Sequence, residues 1–142
     1  MIQQQIQTYL KSIPPEKRAD LIDLQKLISE LFPNYPLSFH TGYDTTGKQV
    51  SNPSIGYGNY LHTFSNGTTS SMYQIGLSVN NNGISIYLLG LSKSINIKEI
   101  FTSNIGKAQI TGYCIKFKRL SEINLQILGK GLTTLYATAA SN

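Results

Sequence analysis

Four acidic residues recur at helical spacing near the start of the chain. They are Glu16, Asp20, Asp23 and Glu30. Their positions, i, i+4, i+7 and i+14, place the side chains within about 80° of one another around a helix. Carboxylate oxygens are hard metal ligands, so Glu16, Asp20 and Asp23 form the candidate metal site. The alternative is a solvated helix flank whose first acids interact favourably with the helix dipole.

One cysteine and two histidines are the candidate nucleophile and bases. A cysteine is nucleophilic as a thiolate, and Lys116, two residues beyond Cys114, would favour that state. A neutral imidazole can act as a base or ligate a metal, but neither His40 nor His62 has a partner at a defined spacing. An enzyme using Cys114 or His62 is therefore one hypothesis, and a small buried cysteine with structural histidines is the alternative.

Tyrosine dominates the aromatic residues, with 9 tyrosines, 5 phenylalanines and no tryptophan. Its apolar ring and polar tip suit both ligand pockets and sheet surfaces. Glycines 56, 58 and 76 would let a ligand or a helix approach the sheet closely. We therefore predict a small-ligand site over the sheet, with ordinary sheet packing as the alternative. The predicted site consists of Tyr60, His62, Gln74, Cys114 and Lys116.

Hydrophobic periodicity predicts the elements that must position these residues. Helices are expected over 2–11, from Pro15 to the prolines at 33 and 36, at about 96–104, and after Ser121 as N-cap. Strands are expected over 54–65, 71–79, 84–89 and 112–118. The segment 33–53 reads as a loop in which Leu37, Phe39 and Val50 could form short extended pieces. The fold class is α+β. It has two N-terminal helices, a mostly antiparallel sheet of four or five strands, a short helix before the last strand and a C-terminal helix packed on the sheet.

Charge is scarce and unevenly distributed. The 142 residues predict a single domain over 1–142. Charged residues make up 13% of the chain, about half the usual fraction of roughly 25%. Residues 1–44 carry four basic and five acidic residues, whereas residues 45–142 carry eight basic and two acidic ones. The basic part disfavours cations and attracts anions. No nucleic-acid motif is present, so nucleic acid is not a predicted partner.

The predicted location is the cytoplasm. The first residues are too polar for a secretory signal, no apolar run approaches the roughly 20 residues of a membrane span, and one cysteine excludes an internal disulfide. A membrane is therefore not a predicted partner either.

Short motifs in a fixed order carry a family resemblance. They are PSIGYG at 53–58, IGLS at 75–78, ISIYL at 84–88, CIKFKRL at 114–120 and EINL at 122–125. Over about residues 15–135 the chain resembles the YdhG-like family of bacterial domains of unknown function, part of which is labelled frataxin-like iron chaperone. The resemblance implies a small cytoplasmic α+β domain and, through that label, iron delivery. It supplies no catalytic residues and no set of iron ligands.

These features together predict a binding or carrier module. Iron is a possible cargo by resemblance only, no cofactor is predicted from the residues, and a small anionic or neutral ligand is an equal alternative. The other hypotheses are the enzyme described above and an interaction domain whose uncharged surface docks a partner protein or a second copy. The predicted oligomeric state is monomer or homodimer.

Overall fold

A computed structural model describes residues 1–92, 94–101 and 103–140. The helices are α1 (Ile2–Lys11), α2 (Pro15–Leu31), α3 (Ile97–Phe101) and α4 (Leu125–Ala140). The strands are β1 (Leu37–His40), β2 (Ser54–Tyr57), β3 (Tyr60–Thr63), β4 (Thr69–Met72), β5 (Ile75–Asn80), β6 (Gly83–Leu88), β7 (Gln109–Ile110) and β8 (Cys114–Phe117). The predicted α+β class and the predicted order of helices are confirmed. None of the helices in these residues is both long and apolar enough to cross a membrane.

The main sheet is antiparallel and has the strand order β1-β2-β5-β6-β8-β7. It has six strands rather than the expected four or five, because β1 and β7 each add an edge strand. The segment predicted as a loop therefore contains β1. Strands β3 and β4 form a separate two-stranded sheet.

The helices pack on one face of the main sheet. Alternate side chains of β5, β6 and β8, such as Leu77, Ile86 and Ile115, lie in one buried cluster that also contains residues of all four helices. Period-2 alternation sends the remaining side chains to the opposite face. That face carries Gly56, Gly76, Ser78, Ser85, Tyr87, Cys114 and Lys116. Small and polar residues therefore line the face of the sheet away from the helices.

The two long strands predicted over 54–65 and 71–79 are both broken, which corrects that prediction. Gly58 adopts φ +83° between β2 and β3. A Cβ at this position would lie 2.3 Å from Oε1 of Gln74, which accepts the Asn59 N–H at 3.2 Å. Tyr57 pairs with Ile75 before the break and Tyr60 pairs with Met72 after it, so the register continues. One long hairpin therefore bends at Gly58, and we call its outer part, residues 60–72, the arm.

Two further local predictions are wrong. Alternation along 112–118 predicts that Tyr113 shares the face of Ile115, but Tyr113 precedes β8, is exposed, and stacks on Tyr87 with ring centroids 6.4 Å apart. The last helix begins at Leu125 rather than after Ser121, because Asn124 provides the cap. Its Oδ1 accepts the Ile127 N–H at 3.1 Å.

Candidate functional site

A cleft of about 610 Å³ lies where the β5–β6 turn meets β7 and β8. Its polar lining consists of Asn80, Asn82, Ser85, Lys107, Gln109, Lys116, Lys118 and Glu122. We call it the lysine cleft. Cavities of roughly 300–1,000 Å³ are the usual size for small-molecule sites.

Strand register brings the centre of this lining together. Lys116 on β8 lies opposite Ser85 on β6 and opposite Gln109 on β7. Directly opposed residues project from the same face of a sheet, so a hydroxyl, an ammonium group and an amide lie side by side. Lys118 follows β8 directly and also lines the cleft. The sheet therefore presents its positive charge on the side away from the helices.

The β5–β6 turn forms one wall of the cleft. Gly83 permits the turn to approach β8, since a Cβ there would lie 2.2 Å from the Phe117 carbonyl oxygen. Within the turn, the Asn82 N–H donates to Asn80 Oδ1 at 2.9 Å. Asn80 Nδ2 in turn donates to Ser85 Oγ at 3.1 Å. These bonds fix neutral amide groups beside the lysines.

The charges of the cleft are positive in balance. Three lysines face one acid, Glu122. Glu122 lies 3.9 Å from Lys107 Nζ, and the Lys107 side chain is exposed, so this ion pair contributes little. Neither Lys116 nor Lys118 forms an ion pair within the described residues. The arrangement suits an anion.

The five residues of the predicted ligand site are spread over different parts of the molecule. Lys116 lines the lysine cleft, whereas Tyr60 and His62 lie on β3 of the arm. Gln74 lies at the bend of the hairpin, where its carbonyl oxygen accepts the Leu89 N–H at 2.7 Å. The bend and the cleft lie at opposite ends of β5. Of the predicted set, Lys116 therefore lines the cleft, whereas Tyr60, His62 and Gln74 lie in other parts of the molecule.

Cys114 is fully buried on the same face of β8 as Lys116. Burial raises the pKa of the Cys114 thiol, and the nearby charge of Lys116 lowers it by less than burial raises it. Lys116 thus acts in the predicted direction, but the thiol form is favoured overall. This environment is typical of a small buried hydrophobe rather than of an activated nucleophile.

His40 contacts Ser38, a partner that the sequence does not indicate when this segment is interpreted as a loop. It ends β1, and its Nε2 lies 3.0 Å from Oγ of Ser38, two residues earlier on the same strand face. Its ring meets that of Tyr73 edge-on, with centroids 4.9 Å apart. Burial lowers the pKa of His40, which keeps the imidazole neutral at neutral pH. The pair borders a second, smaller cavity of about 250 Å³.

The predicted acidic stripe is partly engaged by a cation. Asp20 is only 8% exposed, and its Oδ2 accepts Arg119 Nε–H at 2.8 Å and the Leu120 N–H at 3.0 Å. Glu16 Oε2 lies 3.3 Å from the same guanidinium, while Asp23 is exposed. Over the described part of the chain, no group of three His, Cys, Asp or Glu residues is arranged to hold a metal ion. Two of the three candidate ligands therefore join α2 to the end of β8.

Comparison of the chain with protein-family models, with curated proteins and with solved structures finds no significant match. The resemblance to the YdhG-like family therefore stays a prediction.

Proposed function

We propose that this protein is a binding module that holds a small anionic ligand in the lysine cleft. The observation that supports it is the set of three lysines and one acid around a cavity of about 610 Å³. Lys116 and Lys118 supply charge, and the amides of Asn82 and Gln109 offer directional hydrogen bonds. A phosphate or carboxylate group carries the negative charge that the lysines attract and the acceptor oxygens to which the amides can donate.

Binding accounts for the cleft better than catalysis or iron carriage does. The polar lining contains lysines, amides, a hydroxyl and one acid, but no histidine or cysteine that would serve as base or nucleophile. Iron carriage, which the family label implies, would use the candidate carboxylate ligands on α2. Two of these, Glu16 and Asp20, already contact Arg119. We also propose that the chain forms a single domain and lies in the cytoplasm. The proposed location rests on the single cysteine, Cys114, which is unpaired.

Calorimetric titration with inorganic phosphate, pyrophosphate and citrate tests the proposed binding. We expect Lys116→Gln to weaken binding roughly two- to fivefold, since one partly screened charge contributes up to about 1 kcal/mol. Lys130→Gln is the matched control, because it removes the same charge from an exposed position on α4. Absence of binding by the wild type, or equal losses in the two variants, would contradict the proposal.

A second candidate function, acyl transfer, is favoured by the 3.0 Å contact between Ser38 Oγ and His40 Nε2. In this reaction Ser38 Oγ attacks an acyl carbonyl carbon while its proton passes to His40. His40 then protonates the leaving group, and water releases the acyl group. This pair suits the enzyme alternative better than Cys114, which is buried, or His62, which lies exposed on the arm.

A fluorophosphonate probe tests the second candidate directly. Mass spectrometry should find the adduct on Ser38, and His40→Gln should abolish labelling while circular dichroism shows an unchanged fold. Labelling that is absent in the wild type, or that persists in the His40 variant, would exclude an activated Ser38.

A further inference from the structure

The arm belongs to a long stretch of chain without formal charge. Residues 49–92 contain no Asp, Glu, Lys or Arg, while the whole protein has a net charge of +5. Two copies of the protein repel each other through their charged surfaces. The arm is a place where two copies can meet without that repulsion.

Among the described residues, the outer edges of β3 and β4 pair with no further strand. Proteins usually block exposed edges with lysine, proline or a bulge, and residues 60–72 contain neither lysine nor proline. Leu61 is 70% exposed and Phe64 is 46% exposed. A two-stranded hairpin is marginal by itself and gains stability from further strands. The second strand, β4, presents mainly serine and threonine, so the apolar edge is that of β3.

Hydrogen bonding within the arm shows which backbone groups of β3 point toward β4 and which point away from it. The Phe64 N–H donates to the Thr68 carbonyl at 2.8 Å, and inward and outward groups alternate along an antiparallel strand. The backbone groups of His62 therefore point toward β4. Those of Leu61 and Thr63 point away from it, toward the open edge.

We propose that β3 pairs antiparallel with β3 of a second copy, about a two-fold axis at His62. Leu61 then forms two backbone hydrogen bonds with Thr63 of the second copy. By symmetry, Thr63 forms two with Leu61 of the second copy. The result is a four-stranded sheet in the order β4-β3-β3-β4. One face joins the two aromatic ladders of Tyr60, His62 and Phe64, whose rings already meet edge-on within one copy. The same patch serves both copies, as two-fold symmetry requires.

The pairing leaves the lysine cleft open in both copies. The arm adjoins the Ile75 end of β5, and the cleft adjoins the Asn80 end. Five residues a side, 60–64, form a small interface, below the roughly 1,200 Å² of a stable complex. We therefore expect a weak, concentration-dependent dimer.

Sedimentation equilibrium of the full chain from about 10 µM to about 1 mM tests the pairing. The wild type should shift from monomer toward dimer, and His62→Lys should raise the dissociation constant at least about tenfold, because it opposes two like charges. Ser70→Lys is the matched control, since Ser70 lies opposite His62 on β4. It should dimerise like the wild type. A monomeric wild type, an unaffected His62 variant, or equal losses in both variants would overturn the proposal.

A cross-link tests the register itself. His62 would face its copy at a non-hydrogen-bonded position, where Cα atoms lie about 4.5 Å apart, within the range that a disulfide spans. His62→Cys should therefore form a disulfide-linked dimer with oxidised glutathione, and Ser70→Cys should not. The buried Cys114 does not compete. Equal cross-linking of the two variants, or none for the His62 variant, would overturn the pairing at β3.

Discussion

Asp20 provides the sharpest stability test, because one carboxylate joins α2 to the segment after β8. Its Oδ2 receives a charge-assisted hydrogen bond from Arg119 and a second bond from the buried Leu120 N–H. Asp20→Ala removes both bonds and leaves the Leu120 N–H without an acceptor. A buried donor without a partner costs about 1–3 kcal/mol. Because the Arg119 side chain is partly exposed, solvent screens its charge and we expect its bond to add a smaller contribution.

We therefore expect Asp20→Ala to lower the free energy of unfolding by about 2–3 kcal/mol, measured by urea denaturation. For a chain of this size the loss corresponds to a decrease in Tm of about 6–10 °C. Asp23→Ala is the matched control, since this acid lies exposed on the same helix, and its effect should stay within about 0.5 kcal/mol. Equal losses in the two variants, or no loss for Asp20→Ala, would refute the reasoning.

The same carboxylate makes a pH-dependent contribution of known sign. Burial raises the pKa of Asp20. The hydrogen bonds from Arg119 and Leu120, together with the charge of Arg119, lower it by more than burial raises it, so the folded pKa lies below the ordinary value. Its contribution is fully present above the pKa of the unfolded chain and is lost as the pH falls through the folded pKa. The stability gap between the wild type and Asp20→Asn should therefore narrow in acid. A gap that widens there would contradict the assignment.

Three further predictions concern the interior. Gly131→Ala should destabilise the fold by about 1–3 kcal/mol, because a Cβ there would lie 2.1 Å from the Phe101 ring; unchanged urea denaturation would contradict this close packing. Tyr136→Phe should cost about 1–2 kcal/mol in the same assay, since the buried hydroxyl lies 2.7 and 2.9 Å from two carbonyl oxygens. Cys114 should react with iodoacetamide slowly in the native protein and rapidly in urea, and fast native alkylation would contradict its burial.

The helices follow from the sequence because burial repeats with their period. Leu21, Leu24 and Ile28 are fully buried on α2, as the hydrophobic periodicity predicts. The bend in the long hairpin does not follow, because the strand pattern and the register both continue through it. Only the positive φ of Gly58 marks the break, and a glycine in a strand pattern is equally compatible with a straight strand.

The sequence predicts one residue of the lysine cleft, Lys116, but not the residues that surround it. Alternation along 112–118 places Lys116 on a polar face, and the structure agrees. Its companions depend on strand order, which puts β8 between β6 and β7. Strand β7 has two residues, Gln109 and Ile110, which is too short to produce a periodic signal. Gln109 and Lys107 therefore could not be assigned to the cleft from the sequence.

The distribution of charge separates the two proposed interactions experimentally. Glu16 and Asp20 contact Arg119 rather than the neighbouring Lys118. The positive charge of Lys118 and of the rest of the lysine cleft is therefore largely uncompensated. The arm, by contrast, lies within the charge-free residues 49–92. Raising the salt concentration from about 0.05 M to about 0.5 M screens exposed charges. It should weaken phosphate binding several-fold and leave the dimer dissociation constant unchanged or lower, because only the cleft depends on attraction between charges. A dimer that dissociates in parallel with phosphate release would contradict pairing through the arm.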